Sequence, residues 1–140
     1  MQVRHPNMHV QAVRTIIKAI LRRLEKTSHG ISVLICSNKT IQTLNRSYRK
    51  INQPTDVLSF GDEEQSDFLG DLAISIEQIE TQALEYGVPF DEEFKRILIH
   101  GILHLSGYHH ETDGKEEARM MALQETLLEE VKSIPLCYHS

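Results

Sequence analysis

Only two cysteines occur in 140 residues, Cys36 and Cys137, far apart and with no C-x-x-C spacing. A disulfide scaffold or a thiolate metal site needs more than that. The chain is therefore expected to work in a reducing compartment, with a bridge between these two left open. No apolar run approaches the length of a membrane span. The first ten residues, MQVRHPNMHV, lack the apolar core of a signal peptide, so the protein is expected to stay where it is made, in the cytoplasm. Pro and Gly are scarce, at four and seven residues, and no internal repeat or low-complexity segment interrupts the chain. What remains is a globular composition, 40% hydrophobic and 25% charged, at a length expected for one domain covering residues 1–140.

Charge is unevenly placed. Residues 1–60 hold ten Lys and Arg against two Asp and Glu, whereas residues 61–140 hold five against eighteen, for a net charge of −5. An acidic total speaks against a nonspecific nucleic-acid binder and gives no reason to expect DNA. The basic half can still offer a local surface for an anionic ligand. Equally, two oppositely charged halves can pack together.

Hydrophobic spacing predicts a helix from about Met8 to Lys26, through Val10, Val13, Ile17, Ile20, Leu21 and Leu24. A short strand before Met8 is also expected. Ile31–Cys36 reads as a buried strand. Ser37 or Asn38 can cap a second helix to about Tyr48, with Ile41, Leu44 and Tyr48 on one face. Asp56–Phe60 and Gly70–Ser75 are the next strands, separated by an acidic loop from Gly61 to Leu69. A helix over Ile76–Tyr86 should end at Gly87. The most apolar helix follows, Asp91–Ser106, with Asp91, Glu92 and Glu93 at its positive end. A last helix is predicted from about Lys115 to Ser133, its stripe formed by Met121, Leu123, Leu127, Leu128 and Val131. This order predicts an α+β (mixed α/β) fold, a small mixed sheet covered by helices.

Four of the eight histidines fall within His100–His110. Residues i and i+4 stand one above the other on a helix, so the imidazoles of His100 and His104 can converge on one ion. A third ligand needs the chain to turn back. Gly107 can take the left-handed conformation that ends a helix, and His110 can then close a three-histidine site, with His109 its immediate neighbour. Three protein ligands leave a fourth position for water, the arrangement of a catalytic zinc site, and zinc lowers the pKa of that water to about 7. One Zn2+ per chain, or another divalent transition metal, is therefore expected. His5, His9, His29 and His139 have no comparable spacing.

The pattern is close to the H-E-x-x-H-x-x-G-x-x-H of metzincin proteases, which suggests a metzincin-like metal helix. Gly101 stands where those proteases carry the glutamate that acts as general base, so peptide hydrolysis is disfavoured.

His100-Gly101 through Gly107-Tyr108-x-His110 is similar to H-G-x-L-H-L-x-G-Y-D-H. Leu44-Asn45-Arg46-Ser47-Tyr48-Arg49 and Pro54-Thr55-Asp56-Val57-Leu58-Ser59-Phe60 are similar to L-N-x-x-Y-R and P-T-D-V-L-S-F. Leu69-Gly70-Asp71-Leu72-Ala73-Ile74-Ser75 is similar to L-G-D-I-x-I-S. In these blocks, from about Ile35 onward, the chain resembles the YbeY endoribonucleases, which mature ribosomal RNA. Two positions differ: His109 replaces the usual Asp, and Gly61 follows Phe60 where Pro is common, a change expected to affect only loop stiffness. The resemblance implies a single-stranded RNA substrate, a role in rRNA processing and ribosome quality control, and a zinc-like metal. It also implies the ribosome or ribosomal proteins as partners.

The family's functional arginine maps onto Arg49, where a guanidinium can hold a phosphate bidentately and stabilise charge as the bond breaks. Asp56 and Asp71, each at a strand start, are expected to be structural. Tyr108 is expected to pack, and no residue stands out as a general base. Two other functions remain open: a zinc amide hydrolase of protease type, and a noncatalytic ribosome-associated factor that the metal merely stabilises.

Overall fold

A computed structural model of the chain describes residues 10–51, 53, 55–61, 68–107 and 114–136. The elements run α1 (Val10–Arg23), β1 (Gly30–Cys36), α2 (Asn38–Arg49), β2 (Val57–Gly61), β3 (Phe68–Ser75), α3 (Ile76–Tyr86), α4 (Phe90–Leu105) and α5 (Gly114–Val131). This is the α+β order expected from the hydrophobic pattern. The strand anticipated before Met8 lies outside the described residues.

β3 is the central strand. It pairs in parallel with β1, from Ile31 opposite Gly70 to Cys36 opposite Ser75, and antiparallel with β2, from Val57 opposite Ile74 to Gly61 opposite Gly70. Alternation along the strands then divides the side chains between two cores. Val33, Ile35, Leu72, Ile74 and Val57 face the large core with α1, α3, α4 and α5. Leu34, Cys36, Leu58, Phe60 and Ala73 face a small one under Ile41 and Leu44 of α2. The acidic loop begins later and ends earlier than its composition suggested. Gly61 is the last paired residue of β2, and Phe68 and Leu69 already belong to β3. Gly61 therefore sits in the ladder, and its difference from the family pattern bears on a strand end rather than on a loop.

Helix ends have local causes. Ser37 accepts from Thr40 N–H at 3.3 Å and Ser75 accepts from Gln78 N–H at 3.3 Å, each capping the helix that follows its strand. Because Cys36 and Ser75 are paired, the two caps adjoin, and the Ser75 hydroxyl donates to Asn38 Oδ1 at 2.7 Å. α3 ends at Gly87, as its sequence predicts.

Two amphipathic stripes differ from the expectation. Tyr48 is 68% exposed and meets the edge of Phe60 at 5.1 Å between ring centres, so α2 is buried on the sheet only through its first two turns. On α5 Leu127, Leu128 and Val131 are buried as expected and Leu123 packs partly buried against the core, but Met121 is exposed and Met120 and Gln124 are buried instead.

α4 packs against α3, α5 and the sheet strands β2 and β3. It buries Phe94, Ile97, Leu98, Ile99, Ile102 and Leu103 between the sheet and α3 and α5. The charge asymmetry is partly spent in folding, since Arg23 of α1 pairs with Glu130 of α5 at 3.0 Å. Among the described residues, no helix is long and apolar enough to cross a membrane.

Candidate active site

α4 approaches the sheet so closely at position 101 that any side chain there would have to push Leu72 aside. A Cβ there would lie 2.8 Å from Leu72 Cδ2 and 3.4 Å from Val57 Cγ2. The absent protease glutamate thus has a packing cause: this position points into the sheet, and a carboxylate on it would be buried against leucine and valine. With Gly101 turned inward, His100 and His104 are only half-buried, and both line a cleft of about 730 Å³.

Their rings are 4.7 Å apart at 68°, and the two Nε2 atoms face each other at 3.1 Å. Two nitrogens bound to one tetrahedral zinc at about 2.0–2.1 Å stand roughly 3.3 Å apart, so the pair fits such an ion. In the metal-free chain the same spacing suits His104 Nε2–H donating to His100 Nε2. Gly107 ends the helix with φ at 100°, a backbone conformation that favours glycine, and its N–H donates to the His104 carbonyl at 3.1 Å. His110, His109 and Tyr108 lie outside the described residues. Among the described residues, no three His, Cys, Asp or Glu side chains stand together as a metal site.

The other polar groups of the cleft come from four places. Gln124 of α5 brings Oε1 to 2.8 Å from His100 Nδ1. Arg96, one turn before His100, is held by Glu93 at 3.0 Å, Glu125 at 3.3 Å and Glu92 at 3.9 Å. Burial alone would lower the Arg96 pKa. Hydrogen bonds and charge from Glu125 and Glu93 outweigh that and hold it above its ordinary value, so the guanidinium stays charged. Asp56 stands just before β2, with Oδ2 accepting from Gln82 Nε2 at 3.3 Å and Oδ1 from the Thr55 hydroxyl at 3.4 Å. Arg49, the last residue of α2, also lines the cleft and is exposed.

Arg49 reaches the cleft because α2 stops abruptly behind it. Lys50 takes a left-handed conformation with φ at 61°, and Ile51 N–H returns to the Asn45 carbonyl at 3.4 Å. Buried Asn45 donates to the Gln53 carbonyl at 2.9 Å and ties the following segment to the helix. The Asn of the L-N-x-x-Y-R block thus secures the exit from the arginine-bearing turn. Asp71 is exposed on the α2 side of the sheet, away from this cleft.

Arg96 and Gln124 were not singled out in the sequence. Arg96 stands i−4 from His100, a spacing that was available. Gln124 is recognisable only once α5 is known to bury it.

Residues 2–132 match the family described as Endoribonuclease YbeY. The chain is 38% identical over 138 residues to the Endoribonuclease YbeY of Borreliella burgdorferi, covering 90% of this chain and 89% of that protein. It is 40% identical over 132 residues to that of Treponema denticola, covering 89% and 84%. A solution structure of a Thermotoga maritima protein superposes with a TM-score of 0.69 at 28% identity, over 93% of this chain and 86% of that one. The motif blocks, the fold and these matches agree, and the chain belongs to the YbeY endoribonuclease family.

Proposed function

We propose that this chain is a metal-dependent endoribonuclease that cuts single-stranded RNA, with one zinc or other divalent transition-metal ion as cofactor. The observation that carries this reading is the meeting of Arg49 with the His100–His104 pair in one cleft, from different elements. His100, His104 and His110 are the residues that would hold the ion. When bound, it supplies Lewis-acid chemistry, polarising a water and a phosphoryl oxygen.

Arg49 grips a nonbridging phosphate oxygen pair through its two-pronged guanidinium and stabilises the charge that builds there. Val57, Ile97 and Leu105 form an apolar wall that limits water and strengthens that attraction. Arg46 and Lys50, exposed on either side of Arg49, extend the cationic surface along an RNA backbone. Gly101 leaves α4 without a carboxylate beside the histidines, which favours phosphodiester over peptide chemistry. The names of the relatives support RNA as substrate. Precursor rRNA, a role in ribosome maturation and quality control, ribosomal partners and a cytoplasmic location complete the proposal.

The test presents the purified protein with single-stranded RNA, duplex RNA and an unstructured polypeptide. Single-stranded RNA should be cut fastest, and a chelator should stop the cleavage. Chelator-sensitive proteolysis with all RNA left intact would instead make it an amide hydrolase.

A further inference from the structure

Gln124 is out of place by the ordinary rules of helix packing. It is 4% exposed and lies in the buried stripe of α5 between Met120 and Leu127. A buried amide costs free energy unless its polar atoms are matched, so a burial this deep needs a partner that justifies it. The partner is His100. The Gln124 Oε1 stands 2.8 Å from His100 Nδ1, across the α4–α5 interface.

An amide oxygen can only accept. Nδ1 must therefore carry a proton, and a neutral imidazole protonated at Nδ1 has its lone pair on Nε2. That lone pair points into the cleft, where His104 Nε2 is 3.1 Å away. A histidine side chain left to water favours the opposite tautomer, with Nε2 protonated and unable to bind a metal. The amide thus selects the tautomer that can bind, and it also fixes the rotation of the ring.

The height of Gln124 against α4 is itself clamped. Glu125 holds Arg96 at 3.3 Å, one turn before His100. Further along, buried Lys95 donates to the Lys132 and Ile134 carbonyls just past the end of α5. Asp91 accepts from Leu136 N–H at 3.4 Å. Polar contacts at successive levels set the register of the two helices, and the His100–Gln124 bond is the one nearest the cleft.

We propose that Gln124 is a positioning residue of the metal centre: its side-chain oxygen holds His100 in the Nδ1–H tautomer and keeps Nε2 open to the cation. This rests on the metal-dependent reading above. Because the orienting group is neutral, it leaves the imidazole a weaker donor than a carboxylate partner would.

The test uses the full chain with Zn2+, measured by competition against a chromophoric chelator, and with nitrogen-15 NMR of the histidines in the metal-free protein. Gln124→Leu should weaken zinc binding by about 10–100-fold, the usual effect of losing such a partner. Gln124→Glu should bind at least as tightly as wild type, which a purely packing role does not predict. In metal-free wild type, His100 should be protonated at Nδ1. Leu127→Ala, a buried change on the same helix that leaves the Gln124 amide in place, should lower the melting temperature and leave zinc affinity unaltered.

Equal zinc affinity in wild type and Gln124→Leu would overturn the inference alone. So would His100 protonated at Nε2 in the metal-free wild type, a result that stands even if the leucine variant fails to fold. A wild-type chain that binds neither zinc nor another divalent transition metal would overturn the metal-dependent reading, and this inference with it.

Discussion

The cleft has two unlike sides. On the α4–α5 side the described polar groups are held by neighbours: Arg96 by three carboxylates, and His100 by Gln124 and His104. On the α2–β2 side Arg49 extends from a helix end that is exposed through Ser47, Tyr48, Arg49 and Lys50. A metal needs its ligands fixed before it arrives, and burial with second-layer hydrogen bonds provides that. A phosphate on a long, variable polymer is met by a cation that can adjust. On the proposed reading, one side serves geometry and the other reach.

That contrast predicts where changes will be felt. The largest effect is expected from His100→Ala or His104→Ala, which should abolish both zinc binding and RNA cleavage. Elemental analysis of each purified variant checks it, and the same measurement separates the two neighbours beyond Gly107. His109→Ala should keep its metal and His110→Ala should lose it.

Arg49→Ala comes next. It should cut RNA cleavage about 10²–10³-fold, the usual worth of a donor to developing charge. Zinc content and melting temperature should not change, and Arg49→Lys should recover only part of the rate. A structural arginine would give the reverse, a lower melting temperature with the folded fraction fully active.

Gly101→Ala tests the buried side through packing alone. Its Cβ would lie 2.8 Å from Leu72 Cδ2, so the helix or the leucine must move. Forcing a methyl into a filled core costs about 1–3 kcal/mol. Alanine's better helix propensity offsets about 1 kcal/mol of that, so the midpoint of urea unfolding should fall by the remainder, and a raised midpoint would mean that α4 does not press on the sheet there.

The smallest effect is expected at the seam between the basic and acidic halves. Arg23 and Glu130 are both substantially exposed, and such a pair is worth only about 0–1 kcal/mol. Arg23→Ala should lower the melting temperature by about 3 °C at most. A larger loss would show that charge asymmetry contributes more to folding than the surface pair suggests.

Much of this was legible in the residues. The element order followed from apolar spacing because each strand and helix repeats its period cleanly, and Gly87 marked a helix end. His100, His104 and Arg49, which meet in one cleft, could be picked out from local spacing or from the motif around them. What the sequence concealed was long-range. Met121 looked like part of the α5 stripe because a glutamine at 124 breaks the apolar pattern, and only the packing of α5 on α4 shows why a glutamine is there. Tyr48 sits at helical spacing from Ile41 and Leu44, yet α2 overshoots the sheet and leaves it in solvent. Gly61 looked like loop because ladder pairing with Gly70 leaves no trace in composition. Gly101 read as a missing base, and its positive role, close contact with Leu72, needed the neighbouring strand to be seen.

The central claim, that a cation held by these histidines is required to cut RNA, is tested most directly by titration. Zinc is stripped from the wild-type chain and returned in steps while cleavage of a single-stranded RNA is followed. Activity should be absent at the start, rise in proportion to added zinc, and level off at one ion per chain. Full cleavage by the metal-free protein, unaffected by added zinc, would contradict the account.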